Sequence, residues 1–132
     1  MAHSSSNEPA ANEVMDREHQ VQTGLVAALC GAVERGDDAA NVQEILDRLL
    51  AYSSAHFMSE ELLMRLASYD DYEDHVADHI RTMDELDAVL AHHRAGQPVL
   101  MLEKARAIDG FLRQHIATRD ARFAAWTPSR QP

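Results

Sequence analysis

Residues 56–64 read HFMSEELLM. Leu, Met and Glu are strong helix formers, and nothing in the stretch breaks a helix. On a helix, residues four apart share a face, so His56 and Glu60 point the same way, flanked by apolar side chains. A polar pair on the inward face asks what the interior around it contains. The rest of the chain extends the helical reading. Five glycines, four prolines and 5 % aromatic residues in 132 leave little material for turn-rich sheets. Segments rich in Ala, Leu, Glu, Asp and Arg favour an all-α fold. That length corresponds to one domain able to bury about two-thirds of its unfolded surface.

Four amphipathic stripes follow one another. Residues 14–35 place Met15, His19, Gln22, Val26, Leu29 and Val33 on one face. After the break RGDDAAN, Asn41 and Glu44 have capping-box spacing, and Ile45, Leu49, Tyr52, His56, Glu60 and Leu63 form a second stripe. After SYDD, with Asp70 or Asp71 as cap, Tyr72, His75, His79, Met83, Leu86 and Leu90 form the third. RAGQP ends it, Pro98 suits a first helical position, and Leu102, Ala105, Ile108, Leu112 and His115 form the fourth. Short breaks between long helices predict antiparallel neighbours, hence an up-down-up-down four-helix bundle over residues 14–126. Residues 1–13 are expected to be a disordered arm, and 127–132 a tail.

Twenty-two acidic against twelve basic residues give a formal net charge of −10. Such a surface repels phosphate backbones and anionic bilayers, which argues against nucleic acid and membranes as partners. No apolar run reaches the eighteen or so residues of a membrane span, and MAHSSSNEPAAN lacks the regions of a secretory signal. The single Cys30 has no intramolecular disulfide partner and reads as a small buried hydrophobe. A cytoplasmic protein is the resulting expectation. The sequence leaves the oligomeric state open.

The histidines are placed with more order than composition supplies. Eight histidines and twenty-two acids predict about one His-x-x-x-acid pair by chance, so His56 with Glu60 means little alone. The pair His75 and His79 is only slightly stronger. Their heights are the better signal. The midpoint between His19 and His56 falls at Asp37 and Asp38, that between the 56/60 and 75/79 pairs at Ala67 and Ser68, and that between the second pair and His115 at Gly96. Each midpoint lies in or beside a predicted turn. An antiparallel hairpin returns residues equidistant from its turn to one height, so all four helices bring inward histidines to a single level. Buried imidazoles and carboxylates are costly unless paired, protonated or bound to metal. His3 in the arm, and His92 and His93 in the last turn of the third helix, fall outside this convergence. Met58, Met64 and Met83 read as core filler at helical spacing, and DDYED as a solvated helix start.

DREH at 16–19, HFMSEELLM at 56–64, DHVADH at 74–79 and HIATRD at 115–120 together resemble the hemerythrin family, particularly its bacterial members. The resemblance spans residues 14 to about 126 and keeps the order H, HxxxE, HxxxH, HxxxxD. The last element looks like hemerythrin proper rather than its broader HHE-type relatives. Carried over by position, the resemblance implies that His75, His79 and His115 hold one iron, that His19 and His56 hold the other, and that Glu60 and Asp120 bridge them. It implies a non-haem di-iron centre with a bridging oxo or hydroxo group, and reversible dioxygen binding in transport, storage or sensing. Two rivals share these ligands: a di-iron enzyme acting on peroxide or nitric oxide, and a metal-stabilised iron-handling bundle. Oxygen binding is favoured over enzymatic turnover because five neutral imidazoles donate less charge than carboxylate-rich sites do.

Three expectations follow for the surroundings of such a centre. On an ideal helix His115 and Asp120 diverge by about 140°, so a π turn or kink must lie between them. Phe57, Met83, Leu112 and Ile116 are candidate walls of a ligand pocket. Bacterial hemerythrins commonly carry a Trp-containing arm ahead of the first helix, whereas here the arm reads SSSNEPAANE and the only tryptophan is Trp126. Gln22, one turn beyond His19, is a polar residue on a side expected to be dry.

Overall fold

The computed structural model describes the backbone of residues 2–129 and the side chains of residues 15–126. Four long helices, α1 (Ala2–Arg35), α2 (Ala39–Leu66), α3 (Tyr72–Arg94) and α4 (Pro98–His115), are followed by a π turn (Ile116–Asp120) and a short α5 (Ala121–Ser129). No strand is found among the described residues. The backbone of α1 is helical from Ala2, through the segment expected to be an unstructured arm. No helix among the described residues is long and apolar enough to cross a membrane.

The helices form a ring in which α1 packs on α2 and α4, and α3 packs on the same two. Pairs along each seam give the direction. Glu18 and Gln22 of α1 meet His56 and Ser53 of α2. His75 and His79 of α3 meet Glu60 and Phe57 of α2. Asp78 and Glu85 meet His115 and Lys104 of α4. His19 and Glu34 meet Asp120 and Arg106. In every seam the partner's number falls as the residue's own number rises, the mark of antiparallel neighbours and of an up-down-up-down bundle.

All three turns between these helices use one device. At the end of α1, Gly36 N–H donates to Val33 O and Asp37 N–H to Ala32 O, with Gly36 at φ 71°. The same double bond closes α3 at Gly96 (φ 68°) and α2 at Ser68 (φ 52°). A left-handed residue after the last helical one satisfies the terminal carbonyls and reverses the chain. Glycine adopts that conformation freely; Ser68 does so against its own Cβ.

Two helix starts differ from the sequence expectation. Asp38, not Asn41, caps α2: its carboxylate accepts the Asn41 backbone N–H at 2.8 Å. Asp71 stands at the start of α3 but makes no side-chain cap, because Arg119 donates to its carboxylate at 2.9 Å. Pro98 opens α4 as expected. The α2 stripe keeps Leu49, His56 and Glu60 but is shifted by one position at its other three, where Leu46, Ser53 and Met64 replace Ile45, Tyr52 and Leu63. Val42, Leu46, Leu49, Ser53, His56, Phe57, Glu60 and Met64 are buried, whereas Leu63 is 47 % exposed. Both sets recur with helical spacing, and only packing against α1 and α3 decides between them.

The interior has two compartments. An aliphatic core of Val26, Leu29, Leu46, Leu49, Leu86, Val89, Ile108 and Leu112 fills the half nearer the α1–α2 and α3–α4 turns. Met64, Tyr69 and Phe123, with Met15 and Trp126 against them, close the other end. The buried histidines and acids lie between.

Candidate metal centre

Four helices supply the polar layer: His19 from α1, His56 and Glu60 from α2, His75 and His79 from α3, and His115 with Asp120 from α4 and its π turn. All seven side chains are buried. Five of them, Glu60, His75, His79, His115 and Asp120, can offer ligand atoms to one ion. His19, His56 and Glu60 form a second such group, so that Glu60 belongs to both. Every residue proposed as a ligand from sequence is thus brought into this layer. His92 is not, and instead pairs with Gln97 at 3.0 Å at the far end.

The π turn is what allows Asp120 to participate. The Ala121 N–H reaches back to Ile116 O, the i→i+5 bond of a π turn. It turns the chain less per residue than an α-helix does, which removes the overshoot between residues five apart, and His115 Nε2 lies 3.0 Å from Asp120 Oδ1. The irregularity expected between these residues is therefore present.

Asp120 faces two ways. Its Oδ1 is 2.9 Å from His75 Nε2 and its Oδ2 is 2.9 Å from His19 Nε2. Glu60 Oε1 is 2.9 Å from both His75 Nε2 and His79 Nε2. Several of these short distances are not hydrogen bonds. His19 Nε2, His79 Nε2, His115 Nε2, Asp120 Oδ1 and Glu60 Oε2 are buried without a hydrogen-bond partner among the described residues. Leaving a buried polar atom unpaired costs about 1–3 kcal/mol each. The spacing suggests what would satisfy them. Donors at right angles about an ion roughly 2.1 Å away stand about 3.0 Å apart. Convergent, mutually unbonded N and O atoms at that spacing fit a bound cation, and imidazole with carboxylate suits iron, manganese or zinc.

The outer nitrogens are oriented by acids. His56 Nδ1 is 2.6 Å from Glu18 Oε1, His79 Nδ1 2.8 Å from Glu61 Oε2, and His115 Nδ1 2.9 Å from Asp78 Oδ2. Arg119 Nε donates to the same Asp78 oxygen at 3.2 Å. Such partners hold each ring and direct Nε2 inward. The sequence reading did not name Glu18, Glu61 or Asp78. The available signal was adjacency, since each directly precedes or follows an inward residue: Glu18 before His19, Glu61 after Glu60, Asp78 before His79. His75 differs, its Nδ1 being buried without a partner.

Electrostatics couples the layer in the absence of metal. Burial disfavours the charged form of His75, but the adjacent carboxylates of Asp120 and Glu60 outweigh it and raise the pKa to about 9. His19 is also raised, burial being outweighed by Asp120. Burial pushes the carboxyls of Asp120 and Glu60 upward, yet their histidine partners hold both below the ordinary range.

The candidate pocket walls are distributed around this layer. Phe57 stacks on His79, with ring centroids 4.0 Å apart. Leu112 is fully buried, while Met83 packs on the aliphatic core. Ile116 lines a recess of about 120 Å³ with Met15, Asp16, His19, Asp120, Ala121 and Ala124. Trp126 lies at the opposite end of the chain from the arm where bacterial hemerythrins commonly carry one. It packs edge-on against Tyr69 at 5.4 Å and helps to close the end of the bundle.

These features define a class: a helical bundle whose interior holds a cation-binding layer of histidines and carboxylates. Residues 10–127 match the family model of the Hemerythrin HHE cation binding domain. The chain belongs to the hemerythrin family. No curated protein and no solved structure matches it.

Proposed function

We propose that the protein is a non-haem di-iron protein that reversibly binds dioxygen, for transport, storage or sensing. The observation that carries this reading is the unequal division of donors. Three imidazoles, from His75, His79 and His115, converge on one side of Glu60 and Asp120, and two, from His19 and His56, on the other. If Glu60 and Asp120 were shared between two irons, the iron held by His19 and His56 would have one protein donor fewer than the iron held by His75, His79 and His115. Two ferrous ions would together supply the two electrons that dioxygen takes up on binding.

The chain's own groups set the terms of that chemistry. Glu18, Glu61 and Asp78 orient three imidazoles, which favours a fixed ligand geometry. Phe57, Leu112 and the closure by Tyr69, Phe123 and Trp126 limit water on their sides. A recess of about 120 Å³ beside His19 and Asp120, on the carboxylate side of the layer, gives only small molecules a way in; drug-sized ligands occupy about 300–1,000 Å³. The same recess is the observation favouring the second reading, an enzyme acting on peroxide or nitric oxide. Unpaired Cys30 agrees with a cytoplasmic setting.

Metal analysis, followed by anaerobic reduction and re-aeration, tests the proposal. Reversible colouring by air with two irons per chain is expected. Irreversible turnover with peroxide would favour the enzyme, and colourless zinc or a single iron the structural bundle. His56→Ala should lose mainly one iron and Glu60→Ala should disturb both. Full iron retention in both variants would overturn the ligand assignment.

A further inference from the structure

The layer adjoining the centre contains a polar pair that ligation does not use. Glu60 lies one turn beyond His56, and Asp120 lies beyond His115, so in this antiparallel bundle both carboxylates approach from the end nearer the α2–α3 turn. One turn the other way, toward the aliphatic core, α1 presents Gln22 and α2 presents Ser53. Their side chains are 1 % and 0 % exposed, and Gln22 Nε2 donates to Ser53 Oγ at 3.0 Å. They adjoin His19 and His56, whose rings are 5.3 Å apart. On the side of these two histidines away from Glu60 and Asp120, the next inward residues of α1 and α2 are therefore an amide and a hydroxyl.

Packing does not account for this pair. The next residues along the two helices, Val26, Leu29, Leu46 and Leu49, are wholly apolar, and leucine would occupy the Gln22 position without desolvating an amide. A glutamine amide has two N–H donors. Among the described residues, one is committed to Ser53. That bond restrains the amide and leaves the second N–H available.

Resting on the metal reading above, we propose that Gln22, held by Ser53, is a specificity-determining residue for the side of the centre bounded by His19 and His56. It donates a hydrogen bond to small anionic ligands with a lone pair on the atom remote from the metal. Ligands that carry negative charge once bound, which would include dioxygen that takes up two electrons, are thereby favoured over diatomics that stay neutral.

Azide titration of the iron-loaded, oxidised protein tests this. Gln22→Leu should weaken azide binding about tenfold, the equivalent of one hydrogen bond, and Ser53→Ala by about threefold. The infrared stretch of bound azide should move between H₂O and D₂O in the unaltered protein and lose that response in Gln22→Leu. Azide affinity within twofold and an unchanged isotope response in an iron-replete Gln22→Leu protein would overturn the inference alone. If Gln22→Leu fails to fold or to load iron, Ser53→Ala decides: unchanged affinity and an unchanged stretch overturn the proposal. An unaltered protein that takes up no iron overturns the proposed function and this inference with it.

Discussion

Toward the α1–α2 and α3–α4 turns the bundle is filled by Val26, Leu29, Leu46, Leu49, Leu86, Val89 and Ile108; toward the α2–α3 turn the same four helices enclose five imidazoles and two carboxylates. The first half is stabilised by burial of apolar surface and requires nothing from outside the chain. The second half brings together groups that are costly to bury, with several ligand atoms left unbonded. One fold thus contains a scaffold and a site, and the scaffold imposes the helix spacing that the site needs.

Metal removal should break this comparison most visibly. A ligand bound only by the folded state, present at a thousandfold excess over its Kd, stabilises by about 4 kcal/mol. The chelated protein should therefore unfold at a markedly lower temperature. Hydrogen exchange should locate the loss: amides of residues 56–60, 75–79 and 115–120 should lose protection, while those around Leu46, Leu86 and Ile108 keep theirs. Uniform loss across both halves would show that the aliphatic core cannot stand alone.

pH should separate the metal-free from the loaded protein. The pKa of His75 is raised from 6.5 to about 9 by its carboxylate partners. In the metal-free protein its stabilising contribution is complete below about pH 6.5 and fades as pH rises through about 9. Asp120 and Glu60 are shifted downward, so their contribution is present above the ordinary carboxylate range and fades on acidification. Thermal melts from pH 6 to 10 should show falling stability for the metal-free protein. The loaded protein, with His75 held deprotonated by metal, should lack this decline in the alkaline range.

Much of this division was legible in the sequence. Hairpin symmetry about Asp37, Ser68 and Gly96 is a property of residue numbers, so the common height of the histidines needed no coordinates. The π turn was legible for a similar reason, since the angle between His115 and Asp120 on an ideal helix is incompatible with a shared site. What escaped depends on neighbours in space. Met58, Leu63 and Met64 are all apolar, and only packing within the bundle buries Met64 as expected while leaving Met58, also expected in the core, 67 % exposed and Leu63 47 % exposed. Glu18, Glu61 and Asp78 resemble surface acids until their histidines arrive from other helices. Asp71 loses its capping role to arginines nearly fifty residues away.

A smaller effect should sharpen the distinction between orienting acids and surface acids. Asp78 accepts from both His115 Nδ1 and Arg119 Nε, fixing the imidazole and stitching the π turn to α3. Asp78→Asn keeps the shape and removes the charge. Loss of such a partner costs about 10- to 100-fold in metal affinity. Asp84→Asn, exposed on the same helix beside the aliphatic half, should leave affinity unchanged. Competition with a chelator of known affinity measures both, and equal values would deny Asp78 an orienting role.

The smallest expected effect concerns the turns. Both reversals at the aliphatic end use glycine at positive φ, while the reversal at the site end uses Ser68 at φ 52°. A left-handed non-glycine residue costs about 1–2 kcal/mol, partly offset because glycine loses more backbone entropy on folding. Ser68→Gly should therefore stabilise the protein by about 1 kcal/mol in denaturant melts, with metal affinity unchanged. The next residue, Tyr69, packs on Phe123 at 4.9 Å and Trp126 at 5.4 Å, so the turn also sets the angle at which the aromatic closure meets the bundle. A gain in stability accompanied by weaker metal binding would mean that the strained serine helps to hold that closure over the site. The two ends of the bundle would then differ in their turns for the same reason that they differ in their interiors.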